Sequence, residues 1–134
     1  MKKVKNSIGL LILFLSLFVQ TGFSQTVTLE ITIDVAPAVL NLSNQGEVVT
    51  VHTDIAYGLV TASTVYLNGV AINSWKADDR GNFVAKFLMT EIKGLPLNIG
   101  GMNTLVLTGK TIAGIEFSGS QEIKVINVIP VSKK

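Results

Sequence analysis

The feature that most constrains the fold is a regular alternation of apolar and polar residues in short segments. In the first segment, 27–33, the apolar residues Val27, Leu29, Ile31 and Ile33 alternate with threonine and glutamate, a period of two that is typical of a half-buried β-strand. Similar segments follow, with turn residues about every 8–12 positions, as in all-β proteins. Because no stretch is long enough for a helix connecting parallel strands, the pattern predicts an antiparallel all-β sandwich of seven to nine strands.

The remaining strands are predicted from the same alternation and from the turns that bound it. They cover residues 39–42, 47–53, 63–67, 70–72, 83–89, 104–108, 115–117 and 121–128. Asn68-Gly69 is the best turn signal, since this pair favours positive φ at both central positions of a two-residue hairpin. Residues 54–61 are expected to form a connecting loop, and Thr90 to Gly94 a single helical turn before Pro96.

The first 24 residues have the organisation of a cleavable secretory signal peptide. Lysines at positions 2, 3 and 5 precede the apolar run from Ile8 to Val19, and Gly22 and Ser24 supply small residues at −3 and −1. This run of twelve residues is shorter than the ~20 that an uncleaved membrane anchor needs. We therefore expect cleavage after Ser24, export to the periplasm or cell surface, and a single domain over residues 25–134.

Removal of this leader changes the charge of the chain. The full sequence has 11 Lys and Arg against 9 Asp and Glu, and loss of the three leader lysines leaves 8 against 9, a net charge of −1. No basic surface then remains for a phosphate backbone, so the composition disfavours nucleic acid as a partner. The chain contains no cysteine, which excludes disulfides, a lipoprotein anchor, zinc-thiolate sites and thiol catalysis.

Several short motifs follow one another from Pro37 onward. They are Leu40-Asn41-Leu42, Gly46 before the strand 48–52, the segment 63–69, Val84-Ala85-Lys86-Phe87, the segment 104–110, and Phe117-Ser118-Gly119-Ser120 with Ile123-Lys124-Val125-Ile126. In this order they resemble the immunoglobulin-like β-sandwich module of secreted and surface proteins of bacteria and archaea. The resemblance covers residues 37–126. It implies an antiparallel immunoglobulin-like sandwich without catalytic residues, of a kind that usually stands beside other domains.

The aspartate-rich turn at 78–82 is a candidate metal site. Asp78, Asp79 and Asn82 offer oxygen ligands for calcium. Modules of the family often carry an aspartate- and glycine-rich loop here that suits a hard cation, but in this chain the loop is short and contains Arg80, whose charge repels one. We therefore expect a solvated hairpin turn, with no metal and no cofactor.

His52 is the one histidine of the chain, and it is predicted on the polar face of its strand together with Asp54. To act as a general base, a histidine needs a positioned nucleophile or carboxylate partner. Ser118 and Ser120 flank Gly119, but they lack the strand-to-helix turn of a serine nucleophile elbow. An exposed strand residue is the simpler interpretation of His52, and a small hydrolase is the least favoured function.

Three aromatic residues are candidates for binding a carbohydrate. Trp75, Tyr66 and Tyr57 combine a large apolar ring with a polar group, which suits stacking on a sugar. The same residue types also pack in the cores and at the edges of sandwiches, and the sequence leaves both interpretations open. A sugar-binding platform requires that these side chains are exposed together on one face.

The first alternating strand is a candidate for binding protein. Val27, Leu29, Ile31 and Ile33 form an edge to which a partner's strand can be added. Alternatively, residues 25–36 are a mobile arm or a strand donated to a partner. We predict a non-catalytic, exported structural or protein-interaction module of the cell envelope, with an envelope or surface protein as its partner. The alternative function is a carbohydrate-binding module with a glycan ligand.

Overall fold

The computed structural model describes residues 27–129, so the predicted signal peptide and its cleavage site lie outside the described residues. The elements in this range are ten strands, one 3-10 turn (Tyr57–Leu59) and one short helix. In chain order the strands and the helix are β1 (Thr28–Glu30), β2 (Ile33–Ala36), β3 (Val39–Asn41), β4 (Val48–Ala56), β5 (Val60–Leu67), β6 (Val70–Ala71), β7 (Ser74–Ala77), β8 (Asn82–Leu88), α1 (Met89–Lys93), β9 (Met102–Thr111) and β10 (Glu116–Ile126).

The strands form two sheets, which confirms the predicted all-β sandwich. Four strands make one sheet in the order β2-β4-β8-β7. Six strands make the other, in which β10, β9, β5 and β6 follow one another and both β1 and β3 pair with β10. Each sheet presents one face to a shared core and the other face to solvent.

Two details of the predicted architecture are wrong. The described residues contain ten strands rather than seven to nine, because the predicted strand 27–33 is divided between β1 and β2 and β7 was not predicted, whereas the predicted strands 115–117 and 121–128 form one strand. The pairing is also not purely antiparallel, since β1 and β3 run parallel to β10. The division into β1 and β2 and the parallel pairing both arise where the chain changes from one sheet to the other, and this change depends on contacts that are distant in sequence.

The first predicted strand is divided between the two sheets. β1 pairs with β10, the chain crosses after Ile31, and β2 pairs with β4. The crossing requires Gly119 in β10, because a Cβ at this position would lie 2.7 Å from the carbonyl oxygen of Ile31. Ile33 and Val35 are buried in the core, so residues 28–36 belong to the sandwich and do not form a free arm.

Two predicted interruptions are absent from the structure. β4 continues to Ala56 and β5 begins at Val60, so the predicted loop 54–61 is reduced to the 3-10 turn. β10 is a single strand through Gly119, whereas the sequence predicts two strands with a gap at 118–120. Glycine is a weak β-forming residue. The antiparallel pairing with β9 is nevertheless continuous from Glu116 to Lys124, and it keeps β10 a single strand through Gly119.

The hairpin predicted at Asn68-Gly69 is confirmed. β5 and β6 pair antiparallel across these residues, whose φ values are 46° and 86°. The Asn68 side chain also binds β9, because its Oδ1 accepts from the Val106 N–H at 2.7 Å and its Nδ2 donates to the Thr104 carbonyl at 3.1 Å. The turn therefore joins three strands of the six-stranded sheet.

The inward-facing side chains of both sheets form one hydrophobic core. Phe83, Ala85 and Phe87 of β8 are all buried in this core. The helix α1 adds Ile92 to the core, whereas Leu88, the residue before this helix, is exposed. The largest fully buried side chains are Phe83, Phe87, Phe117, Leu40, Leu67, Ile92, Leu105, Leu107 and Ile123.

Candidate functional site

One side of the sandwich opens between β5 of the six-stranded sheet and β7 of the four-stranded sheet. Pairing of β5 with β9 stops after Thr61 and resumes only at Tyr66, so the residues in between bulge out of the ladder. The hydroxyl of Thr64 stabilises the bulge, because it accepts from the Lys110 N–H at 2.8 Å and donates to the Thr61 carbonyl at 2.6 Å.

This bulge borders a concavity of about 450 Å³ that contains two of the predicted aromatic residues. Trp75 on β7 and Tyr57 in the 3-10 turn are 44% and 40% exposed. The Tyr57 ring packs against buried Phe83, with ring centroids 6.1 Å apart, so a core residue orients it. We call this surface the seam concavity, and its lining residues are Tyr57, Gly58, Val60, Ala62, Ser63, Trp75, Phe83 and Ile112.

The third predicted aromatic residue, Tyr66, lies on a different surface. It stands between buried Val65 and Leu67, so its side chain points to the outer face of the six-stranded sheet. Its cross-strand neighbours there are Ala71 and Thr108. The structure therefore brings Tyr57 and Trp75 together and separates Tyr66 from both.

His52 and Asp54 line a second concavity, of about 340 Å³, whose other wall is the turn 78–82. Among its lining residues, only Thr53 carries a hydroxyl. This hydroxyl faces the core and donates to the Phe83 carbonyl at 2.6 Å. The residues that line this concavity therefore place a histidine near carboxylates without a free hydroxyl among them.

The carboxylate of Asp78 is used to hold its own turn. Its Oδ1 accepts from the backbone N–H groups of Arg80 and Asn82, at 2.8 and 2.9 Å. The bond from Asn82 is the largest influence and lowers the Asp78 pKa; partial desolvation opposes it, and the Arg80 amide, the Arg80 charge and His52 lower it further. Asp78 is therefore an anion that stabilises the turn.

The candidate calcium ligands at 78–82 form part of this turn. In the described part of the chain, no three His, Cys, Asp or Glu side chains lie close enough together to hold a metal ion. Asp54, on the opposite wall, accepts from the Thr32 N–H at 2.9 Å through its Oδ1. Both aspartate side chains thus act as acceptors for backbone amides.

The candidate edge at 27–33 is only partly free. Val27 and Leu29 are exposed, Ile31 is half-buried and Ile33 is in the core. Three backbone N–H groups at or next to this segment already have acceptors, which are the Ser118 carbonyl for Ile31, the Asp54 carboxylate for Thr32 and the Gln121 side chain for Val35. The part of this edge that remains open is β1, which has three residues.

Sequence reasoning missed Leu59, Ile112 and Ile115, which are exposed by 53%, 71% and 46%. The Ile112 N–H donates to the Leu59 carbonyl at 2.9 Å, and the pairing of β1 with β10 brings Val27 close to Ile115. The available signal for Leu59 and Ile112 was a large aliphatic residue in a segment predicted as a loop or turn. We call the following exposed set the apolar end: Val27, Leu29, Tyr57, Leu59, Trp75, Ile112 and Ile115.

Asp34 is a second residue that the sequence did not connect to a site. It lies on β2 directly opposite His52 of β4, and both side chains are exposed on the outer face of the four-stranded sheet. Their proximity depends on the pairing of β2 with β4, which the sequence did not predict. The histidine therefore has acidic neighbours on its own strand, on β2 and in the turn after β7.

No helix within residues 27–129 is long and apolar enough to cross a membrane; α1 has five residues. Comparison of the chain with known protein families, with curated proteins and with solved structures gave no match. The positions and contacts of the chain's own residues are therefore the basis for a functional proposal.

Proposed function

We propose that this chain is a non-catalytic, exported module of the cell envelope, with an immunoglobulin-like fold, that binds another protein. The strand order supports the fold. The order β2-β4-β8-β7 corresponds to strands A-B-E-D of an immunoglobulin sandwich, and β10-β9-β5 corresponds to G-F-C. β6, beside β5, takes the position of the additional strand C′ of the variable type.

The apolar end is the observation that carries the proposal of protein binding. Its seven side chains belong to segments that are far apart in sequence but adjacent in the structure. Exposure of grouped large apolar residues is costly for a protein in water, and such groups commonly mark a surface that is covered by a partner. The two aromatic residues of the apolar end suit the centre of an interface, where tyrosine and tryptophan are enriched.

Site-specific photocrosslinking in the cell that makes the protein tests this proposal. A photoreactive benzoylphenylalanine in place of Ile112 is expected to crosslink one defined envelope protein, which is then identified by mass spectrometry. The matched control carries the same group in place of Ser120, on the outer face of the six-stranded sheet, and is expected to give no such product. Equal crosslinking from both positions, or none from either, would contradict the proposal.

Export is tested separately by N-terminal sequencing of the protein recovered outside the cytoplasm. The signal peptide proposed for residues 1–24 requires that the mature chain begins at Gln25. Replacing Lys2, Lys3 and Lys5 with glutamate is expected to reduce export, because the positive n-region is lost. An exported protein that retains Met1 would contradict the proposed cleavage.

A carbohydrate-binding module is the second candidate, because Tyr57 and Trp75 are both exposed in one concavity. Two rings that are held at one site can stack on the apolar faces of a sugar. Trp75 is the one tryptophan of the chain, so its fluorescence reports on this site directly. A saturable change in emission with a polysaccharide, lost in Tyr57→Ala and kept in Tyr66→Ala, would favour this function over protein binding.

A further inference from the structure

β7 is the outer strand of the four-stranded sheet, and in residues 27–129 it pairs with β8 alone. The Asp78 N–H donates to the Asn82 carbonyl at 2.9 Å, at the end of this pairing. In an antiparallel ladder, residue pairs that share backbone hydrogen bonds alternate with pairs that share none. Because Asp78 is bonded to Asn82, Lys76, two positions before Asp78, is also bonded to its partner Val84. The backbone N–H and carbonyl groups of Trp75 and Ala77 therefore point away from β8, toward an unoccupied edge.

The two faces beside this edge differ in chemistry. Trp75 and Ala77 pair with buried Ala85 and Phe83, so their side chains lie on the inner face, where Trp75 lines the seam concavity. The outer face carries Lys76 on β7, and Lys86 on β8 opposite Ser74. A strand added to β7 thus meets an apolar surface on one face and two cations on the other.

The edge of β7 differs from the edge at β2. At β2 the Gln121 side chain accepts from the Val35 N–H at 2.8 Å, which occupies one of the outward donors of that strand. All four residues of β7 are exposed, and none is a proline, which would remove a donor. β7 is therefore the more accessible template for pairing.

We propose that the edge of β7 binds an extended segment of a partner protein in which apolar and acidic residues alternate. The segment adds a fifth strand to the four-stranded sheet through the backbone groups of Trp75 and Ala77. Its apolar side chains face the seam concavity, and an acidic side chain lies beside Lys76 and Lys86. This inference rests on the proposed function, and it names the surface and the chemistry of the partner.

The test uses the mature chain and a short synthetic peptide in which leucine alternates with glutamate, with threonine at both ends. Binding is followed by the emission of Trp75, which is expected to shift to shorter wavelength in a saturable manner as the indole becomes covered. A peptide with lysine in place of glutamate is expected to bind roughly threefold to fivefold more weakly. The Lys76→Glu variant is expected to reverse this preference.

Backbone pairing is tested by Ala77→Pro, which removes an outward-facing donor without removing a bond to β8. This variant is expected to lose the saturable shift, while the matched control Ala77→Ser keeps it. Circular dichroism verifies that both variants fold. In the unmodified chain, the bound peptide is expected to slow amide hydrogen exchange at Trp75 and Ala77, and this measurement tests the pairing even if Ala77→Pro does not fold.

An unchanged shift in folded Ala77→Pro, together with unprotected amides at Trp75 and Ala77, would overturn the proposal. So would concentration-dependent dimerisation of the chain alone that Ala77→Pro abolishes, since the edge would then serve a second copy. These outcomes are separable from failure of the proposed function. If the Ile112 crosslink to an envelope protein persists in Ala77→Pro, protein binding stands and the β7 edge is not its site.

Discussion

Gly119 is the residue on which the path of the N-terminal segment most depends. A Cβ at this position would lie 2.7 Å from the Ile31 carbonyl oxygen and 2.9 Å from the Cγ2 of Ile33. We expect Gly119→Ala to lower the free energy of unfolding by about 1–3 kcal/mol, because the crossing between the two sheets must shift. Chemical denaturation with an unchanged m-value would measure this loss.

Gly58→Ala is the matched control for this substitution. A Cβ at Gly58 has no other atom within 4 Å, so the expected change is within about 0.5 kcal/mol. If both variants lost the same stability, the effect would come from the general cost of replacing glycine and not from the close approach of Ile31.

Asp78 is expected to make stability depend on pH in acid. Its folded-state pKa lies below its ordinary value of 3.8, chiefly because of the hydrogen bond from Asn82. Since the folded-state pKa is the lower one, the stabilisation is fully present well above pH 3.8 and is lost as the pH falls below this value. Unfolding curves at several acidic pH values would show this loss in the unmodified chain.

The variant Asp78→Asn isolates this contribution, since the amide oxygen still accepts from the turn but has no charge to titrate. Its stability is expected to fall less steeply in acid than that of the unmodified chain. Asp79→Asn removes an acid from the same turn without removing the bonds to Arg80 and Asn82. A midpoint for the Asp78 carboxyl above 3.8, measured by NMR titration, would contradict the assignment.

At the scale of the elements, the β5–β6 hairpin depends on two properties of Asn68. This residue has positive φ, and its side chain makes two hydrogen bonds to β9. Asn68→Gly keeps the conformational freedom and removes both bonds, so we expect a loss of about 1–2 kcal/mol in the free energy of unfolding. Asn68→Asp, which keeps the acceptor for Val106, is expected to lose about half as much.

The local signals in the sequence explain why this hairpin was predicted and the bulge in β5 was not. Asn68-Gly69 specifies a turn through its own backbone preferences. The bulge after Thr61 depends on the Thr64 hydroxyl reaching the Lys110 N–H, which is 46 residues away in sequence. A contact of this range leaves no recognisable pattern in the segment that it shapes.

At the scale of the whole molecule, the N-terminal segment joins the two sheets. Its alternation suggests four equivalent apolar residues, yet Leu29 in β1 is 43% exposed and Ile33 in β2 is 6% exposed. We expect Ile33→Ala to lower the free energy of unfolding by about 2–5 kcal/mol, through the cavity that it leaves in the core. Leu29→Ala is expected to cost less than about 1 kcal/mol.

Denaturation midpoints of these two variants test the division of the segment between the sheets. If 27–33 were one uniform edge strand, the two substitutions would have comparable effects. A large loss at Ile33 with a small loss at Leu29 is expected only if the chain crosses between them. The same two variants also distinguish a segment packed in the sandwich from a free arm. If the segment were a free arm, neither substitution would affect stability.

The sequence alone was sufficient for properties that neighbouring residues determine. The strand character of most segments, the inward faces of β4 and β8, and the turns at 68–69 and 78–82 all follow from alternation and local backbone preference. The meeting of Tyr57 with Trp75, of His52 with Asp34, and the exposure of β7 required the folded chain. These depend on which strands pair and in what register, and that is chosen by the packing of one common core rather than by any single segment.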